Sequence, residues 1–116
     1  MTKRKAIAKH RKMWRWIAGI IAEKKCHVDI PSLKEIFCKG NHDYCIDNNC
    51  YLCEYASNKE GNCSACCPLE WPGGSCCLNS KEGLFMNVLY ERDWEKQSAL
   101  ARQIAELPEK EGKDDK

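Results

Sequence analysis

Apolar residues recur at helical spacing near both ends of this chain and lose any sustained period in the middle. From about Lys5 to Lys24, Met13, Ile17, Ile20 and Ile21 share one face with Trp14 and Trp16 flanking them. Lys5, Lys9, Lys12 and Arg15 take the other side, so the stretch predicts an amphipathic helix over residues 5–24. Gly19 inside it costs roughly 1 kcal/mol against alanine, and the Trp and Met side chains of the stripe read first as core. Pro31-Ser32-Leu33-Lys34-Glu35 has the form of a helix start, with Ser32 as cap and Glu35 three residues on. A short helix over 32–38 follows, ended by Gly40 and Asn41. At the far end Leu84, Val88, Trp94, Ala101, Ile104 and Ala105 supply another apolar face. They predict one long helix over 82–107 that Pro108 stops. Residues 45–79 are rich in Asn, Gly, Ser and Cys and read as loops, and no repeat of the solenoid kind occurs.

With 116 residues the chain has room for one compact domain. Its 2 Phe and 31% charged residues leave a modest core, so its 10 cysteines become the candidate cross-links. Whether they carry disulfides or metal depends on compartment. The run from Met13 to Ala22 superficially resembles an export signal, but Arg15 interrupts it and Glu23-Lys24-Lys25 stands where a small-residue cleavage site belongs. The run therefore reads as a helix. No span approaches membrane length. The expected location is cytoplasmic, where thiols stay reduced and clustered cysteines bind metal.

The strongest arrangement is Cys50-x-x-Cys53 followed by Cys63-x-x-Cys66. Two thiolates two residues apart can turn onto one ion, and two such knuckles complete a tetrahedral four-sulfur shell with no open position. Gly61-Asn62 offers the turn that so short a gap requires. The metal expected is Zn2+. Cys67 can replace Cys66, and Cys76 or Cys77 can replace either, because adjacent cysteines point in different directions. A second ion could draw on Cys26, His27, Cys38, His42 and Cys45, with Cys38, His42 and Cys45 as its nearest set; the plainer reading makes Cys26 and Cys38 small buried hydrophobes. A structural ion contributes roughly 10 kcal/mol or more to a small domain. The fold class expected is thus small and mainly α, with N-terminal and C-terminal amphipathic helices packed around a central irregular zinc-knuckle region. Residues 1–108 form that single zinc-stabilised domain, and 109–116 a disordered charged tail.

The chemistry of an enzyme is not evident. There is no HExxH and no HxE paired with PCxxC, and the chain has 3 histidines. Gly40-Asn41-His42-Asp43 matches a fragment seen in metallophosphatases, but their further His and Asp motifs are missing. Cys50-x-x-Cys53 lacks the βαβ alternation that a thioredoxin-like redox pair requires. No catalytic residue and no small-molecule substrate is assigned.

Charge is uneven. Residues 1–25 carry nine Lys/Arg against one acid, a net +8, while 26–80 are net −4 and the remainder −2. Lys5, Lys9, Arg11, Lys12 and Arg15 are accordingly the candidate contact surface for phosphates or an acidic partner, a solvated helix face being the plainer explanation.

Four stretches, Lys9-His10-Arg11-Lys12-Met13-Trp14-Arg15-Trp16-Ile17-Ala18, Cys50-Tyr51-Leu52-Cys53-Glu54-Tyr55-Ala56, Cys67-Pro68-Leu69-Glu70-Trp71 and Ala101-Arg102-Gln103-Ile104-Ala105-Glu106-Leu107-Pro108, come in this order. Together they resemble small cysteine-rich proteins encoded by phages and prophages of Gram-positive bacteria. The resemblance spans most of the chain and implies a cytoplasmic zinc protein, without implying an activity. In those relatives one cysteine usually precedes Pro-Leu; here Cys66 and Cys67 are doubled, which leaves the fourth ligand open. The expected role is a protein-binding module acting on a host or phage protein, with Trp14, Trp16, Trp71 and Trp94 as candidate anchors. A nucleic-acid binder using the basic helix is the alternative.

Overall fold

The computed structural model describes residues 2–43, 51–52, 69 and 84–109. Among them the fold is mainly helical: α1 (Lys3–Lys24), α2 (Ile30–Gly40), α3 (Leu84–Tyr90) and α4 (Trp94–Ala105). No helix among the described residues is long and apolar enough to cross a membrane.

α1 begins where Thr2 accepts a hydrogen bond from the Lys5 amide at 3.1 Å, a side-chain cap on one of the orphan donors of the first turn. It ends at Lys25, whose left-handed backbone (φ 55°) lets its N–H reach the Ile21 carbonyl at 2.8 Å. Ala6, Ile7, His10, Met13, Trp14, Ile17, Ala18 and Ile21 are buried along it. Every step is three or four residues or the neighbour of one, so a single stripe faces inward. That stripe lies along α4 and, less extensively, against α2, while α3 packs on α4. The shared core includes Ile30, Phe37, Tyr51, Leu52, Leu69, Val88, Ala101, Ile104 and Leu107.

α2 starts earlier than the capping-box reading of Ser32 places it. Asp29 is the N-cap, and Pro31 falls within the first turn, where its missing N–H costs nothing and its fixed φ suits the helix. Ser32 is therefore inside the helix and donates its hydroxyl hydrogen bond to Asp29 Oδ2. At the other end the Asn41 side chain donates to the Phe37 carbonyl at 2.9 Å, and His42 turns the chain with φ 60°.

The long helix expected over 82–107 is two helices. Glu91, Arg92 and Asp93 separate them, and Asp93 caps α4 by accepting from the Glu95 amide at 3.0 Å. Aspartate followed at once by an acidic first turn is a helix start, and here it overrides the apolar period running across it. Asp93→Ala should cost about 1 kcal/mol, read as a lower urea midpoint; an unchanged midpoint would remove the cap from the account. Past α4, Leu107 is buried, and Glu109 pairs in an isolated antiparallel bridge with Leu69. Glu109 thus belongs to the fold rather than to a disordered tail, and residues 110–116 lie outside the described residues.

Two buried polar side chains bind the helices to one another. Gln97 of α4 accepts from the Val28 amide at 3.0 Å and donates to the carbonyls of Val28 and Val88 at 3.1 and 3.0 Å. One amide thereby fastens the α1–α2 connection and α3 onto α4. Ser98 donates to the Ala18 carbonyl of α1 at 3.0 Å.

Candidate functional site

Three of the five candidate contact residues on the basic face of α1 bond within the fold. Lys9 Nζ donates to Asp43 Oδ2 at 2.6 Å, Arg11 Nη2 to the Leu107 carbonyl at 2.9 Å, and Arg15 grips both carboxylate oxygens of Glu106 at 2.8 and 3.1 Å. The Arg15 guanidinium is raised in pKa by the Glu106 hydrogen bonds, and Glu106 is lowered by the same contact. Both side chains remain more than half exposed, so the pair contributes little stability. Lys5 and Lys12, the other two residues of the candidate surface, are exposed. Of the tryptophans, Trp14 is core, while Trp16 and Trp94 are partly buried against it; Trp71 lies outside the described residues.

His10 occupies the seam between α1 and α4, 2% exposed, with Nε2 at 3.0 Å from the Ile104 carbonyl. A carbonyl can only accept, so Nε2 carries the proton. Burial lowers the imidazole from 6.5 to about 4; the Ile104 hydrogen bond opposes this, and the charges of Lys34 and Arg11 add to it. His10, Arg11 and Arg15 together hold the last turn of α4.

A second polar cluster stands where α1 meets α2. Asp43 Oδ2 accepts from Lys9 and, at 2.8 Å, from the Tyr51 hydroxyl. Burial pulls the Asp43 carboxyl upward, but these two hydrogen bonds and the Lys9 charge outweigh it, and its pKa falls below the ordinary value. Tyr51 is wholly buried, edge-on to Phe37 at 6.2 Å between ring centroids, with Lys9 Nζ 5.6 Å from its own. Burial first, then the hydrogen bond to Asp43 and contact with Cys38, push its phenol upward.

The position of Tyr51 and Leu52 bears on the cysteines. These two residues are the x-x of Cys50-x-x-Cys53, and they are 0% and 1% exposed in the core of the helices. Leu69, which follows Cys66-Cys67-Pro68, is likewise fully buried. The expected ligands Cys50, Cys53, Cys63 and Cys66, their replacements Cys67, Cys76 and Cys77, and Cys45 lie outside the described residues, but the chain on either side of residues 53–68 is fixed in the core.

The remaining candidate ligands are divided by α2. Cys26 and His27 precede the helix, exposed, with His27 Nδ1 hydrogen-bonded to the Glu91 carbonyl. Cys38, buried, and His42 are at its other end. Ile30 to Cys38 alone is about 12 Å of helix axis, too far for one ion to take ligands from both ends. Among the described residues no three His, Cys, Asp or Glu side chains gather around a point where an ion would sit. Sequence reading missed His10 and Gln97, because a polar residue on an apolar face carries no periodic signal, and Asp43, because its partners Lys9 and Tyr51 come from other parts of the chain.

Compared with protein-family models, curated proteins and solved structures, the chain matches none.

Proposed function

We propose that this chain is a structural-zinc protein of phage origin, acting in the cytoplasm of a bacterial host as a protein-binding module that modulates the machine it contacts. The observation that carries the choice of a protein partner over a nucleic acid is the use of the basic helix within the fold. Lys9, Arg11 and Arg15 are bonded to Asp43, Leu107 and Glu106 of the chain itself. A phosphate-binding helix needs its cations available to release counterions, and three of these five have acceptors already. Two large apolar side chains, Ile36 of α2 and Tyr90 of α3, are 56% and 67% exposed, the kind of residue that anchors a protein interface.

The zinc reading rests on the doubled Cys-x-x-Cys spacing. Four thiolates close the coordination shell, which suits a structural ion and leaves no site for a reacting water. The titratable groups most displaced from their ordinary values, His10 and Tyr51, are sealed in the core and hold helices together. A nucleic-acid partner is the second reading, favoured by the net +8 of residues 1–25. Of the five candidate contact residues, Lys5 and Lys12 are those through which either partner would sense charge.

Elemental analysis of protein purified under reducing conditions should find zinc bound in a stoichiometric amount that survives dialysis. In a gel shift with random-sequence DNA and RNA, no retardation is expected between roughly 50 and 200 mM salt, the range over which a phosphate-binding protein loses most of its affinity. Retardation at low salt that Lys5→Glu/Lys12→Glu abolishes would transfer the assignment to the nucleic-acid reading. Metal-free, folded protein with oxidised cysteines would overturn the zinc reading.

A further inference from the structure

We propose that the cleft between α3 and α4 is a docking face for an acidic segment of a partner protein, which places an apolar side chain in the cleft and a carboxylate beside it on Arg92. The proposal rests on the protein-binding reading above and deepens it by naming the face and the chemistry of the partner. Met86, Asn87 and Tyr90 of α3, Leu100 of α4, and Glu91 and Arg92 of the turn between them line an open cleft of about 540 Å3. Met86 and Leu100 are only partly buried against the core, and Tyr90, one helical turn beyond Met86, is 67% exposed. Apolar surface left in water around a concave space is surface that a partner side chain gains by covering. The cleft is open, which suits a side chain carried by a segment lying across it better than an enclosed small molecule.

The charges around the cleft differ in what they are free to do. Glu91 Oε2 accepts from the Asp93 amide at 3.2 Å, and Asp93 Oδ1 accepts from the Glu95 amide at 3.0 Å. Both carboxylates are thus committed to the start of α4. Arg92 makes no hydrogen bond or ion pair among the described residues, and neither does Lys96, which stands one turn before Leu100 on the same face of α4. Glu95 lies on the neighbouring line of that helix, with Ala99. A cation in the cleft wall and a second a turn away attract a carboxylate and repel a basic segment. The guanidinium can also fork onto both carboxylate oxygens, which fixes orientation as well as sign.

The turn that carries Arg92 is held from two directions. His27 Nδ1 is hydrogen-bonded to the Glu91 carbonyl, and Gln97 Nε2 donates to the Val88 carbonyl at 3.0 Å. A face already ordered in the free protein gives up less freedom when it is covered.

The test is a titration of isotope-labelled full-length protein, followed by amide NMR shifts, with capped tetrapeptides: acetyl-Asp-Leu-Phe-Asp-amide, acetyl-Lys-Leu-Phe-Lys-amide and acetyl-Asp-Ser-Ser-Asp-amide. The first should shift the amides of Met86, Tyr90, Arg92 and Leu100 with a Kd on the order of 1 mM, several-fold tighter than either of the others. Arg92→Glu should reverse the preference between the acidic and basic peptides, and Tyr90→Ala should weaken both of these several-fold. Both positions are exposed, so the variant spectra should otherwise match the wild type. Equal binding of the acidic and basic peptides by the wild type overturns the proposal, as does the absence of shifts around the cleft. A response confined to Lys5 and Lys12 overturns this face and leaves the protein-binding reading standing. Retardation of nucleic acid in the gel shift together with no peptide response overturns both.

Discussion

Gln97→Leu should lower the unfolding free energy by about 3 kcal/mol or more, the summed cost of leaving buried backbone groups without partners. Leucine matches the side chain in size, so the change removes hydrogen bonds without opening a cavity. It strips the acceptor from the Val28 amide and the donors from the Val28 and Val88 carbonyls. The Val28 contacts are partly buried and water can compensate some of their loss; the Val88 contact is buried and has no such recourse. Urea unfolding followed by circular dichroism measures the effect. Amide exchange should also show α3 and residues 25–29 opening first, since both are hydrogen-bonded to α4 through this side chain. A loss below about 1 kcal/mol would mean that the three contacts are not made together.

The second large effect is acid sensitivity. His10 is neutral in the folded chain down to about pH 4, whereas in the unfolded chain it takes up a proton near 6.5. Between these values the unfolded state holds more protons, so stability falls as pH falls and is fully present only above about 6.5. The difference of roughly 2.5 units corresponds to a loss of about 3 kcal/mol between pH 6.5 and 4. His10→Gln retains a donor for the Ile104 carbonyl and cannot titrate, so its stability should be nearly flat across that interval. Asp43 and Glu106, both lowered by their basic partners, add a further loss only at lower pH, where the carboxylates protonate. A wild-type profile that matches the His10→Gln profile from pH 6.5 to 4 would place the imidazole in contact with water.

The two ends of the molecule differ in how plainly their residues announce the fold. α1 is legible because its inward stripe is almost wholly apolar, so the 3.6-residue period survives; only His10 interrupts it. α4 hides its inward face, because Gln97 and Ser98 are buried and a hydropathy pattern counts them as surface. The continuous apolar spacing from Leu84 to Ala105 then suggests one helix, and the Asp93 cap that divides it is a local signal which the period obscures. At α2 the two local signals competed: the Ser32–Glu35 pairing has capping-box form, but Pro31 fits the first turn, and the start moves back to Asp29. The basic surface was legible as composition only. Which cations face solvent depends on acceptors supplied by residues 43, 106 and 107, brought in from distant parts of the chain. The burial of Tyr51 and Leu52, which lie between Cys50 and Cys53 in the chain, could not be inferred from the cysteine spacing.

Leu52 and Leu69, both inside the core, fix the two points between which residues 53–68 run. Residues 53–68 begin and end at fixed points, the second of them clasped by Glu109. A segment tethered at both ends has already surrendered the entropy of bringing its ends together, a quantity that grows only logarithmically with length. Under the proposed zinc reading, an ion held by Cys53, Cys63 and Cys66 would close a loop whose two ends are already anchored, and Glu109 would share in that anchoring.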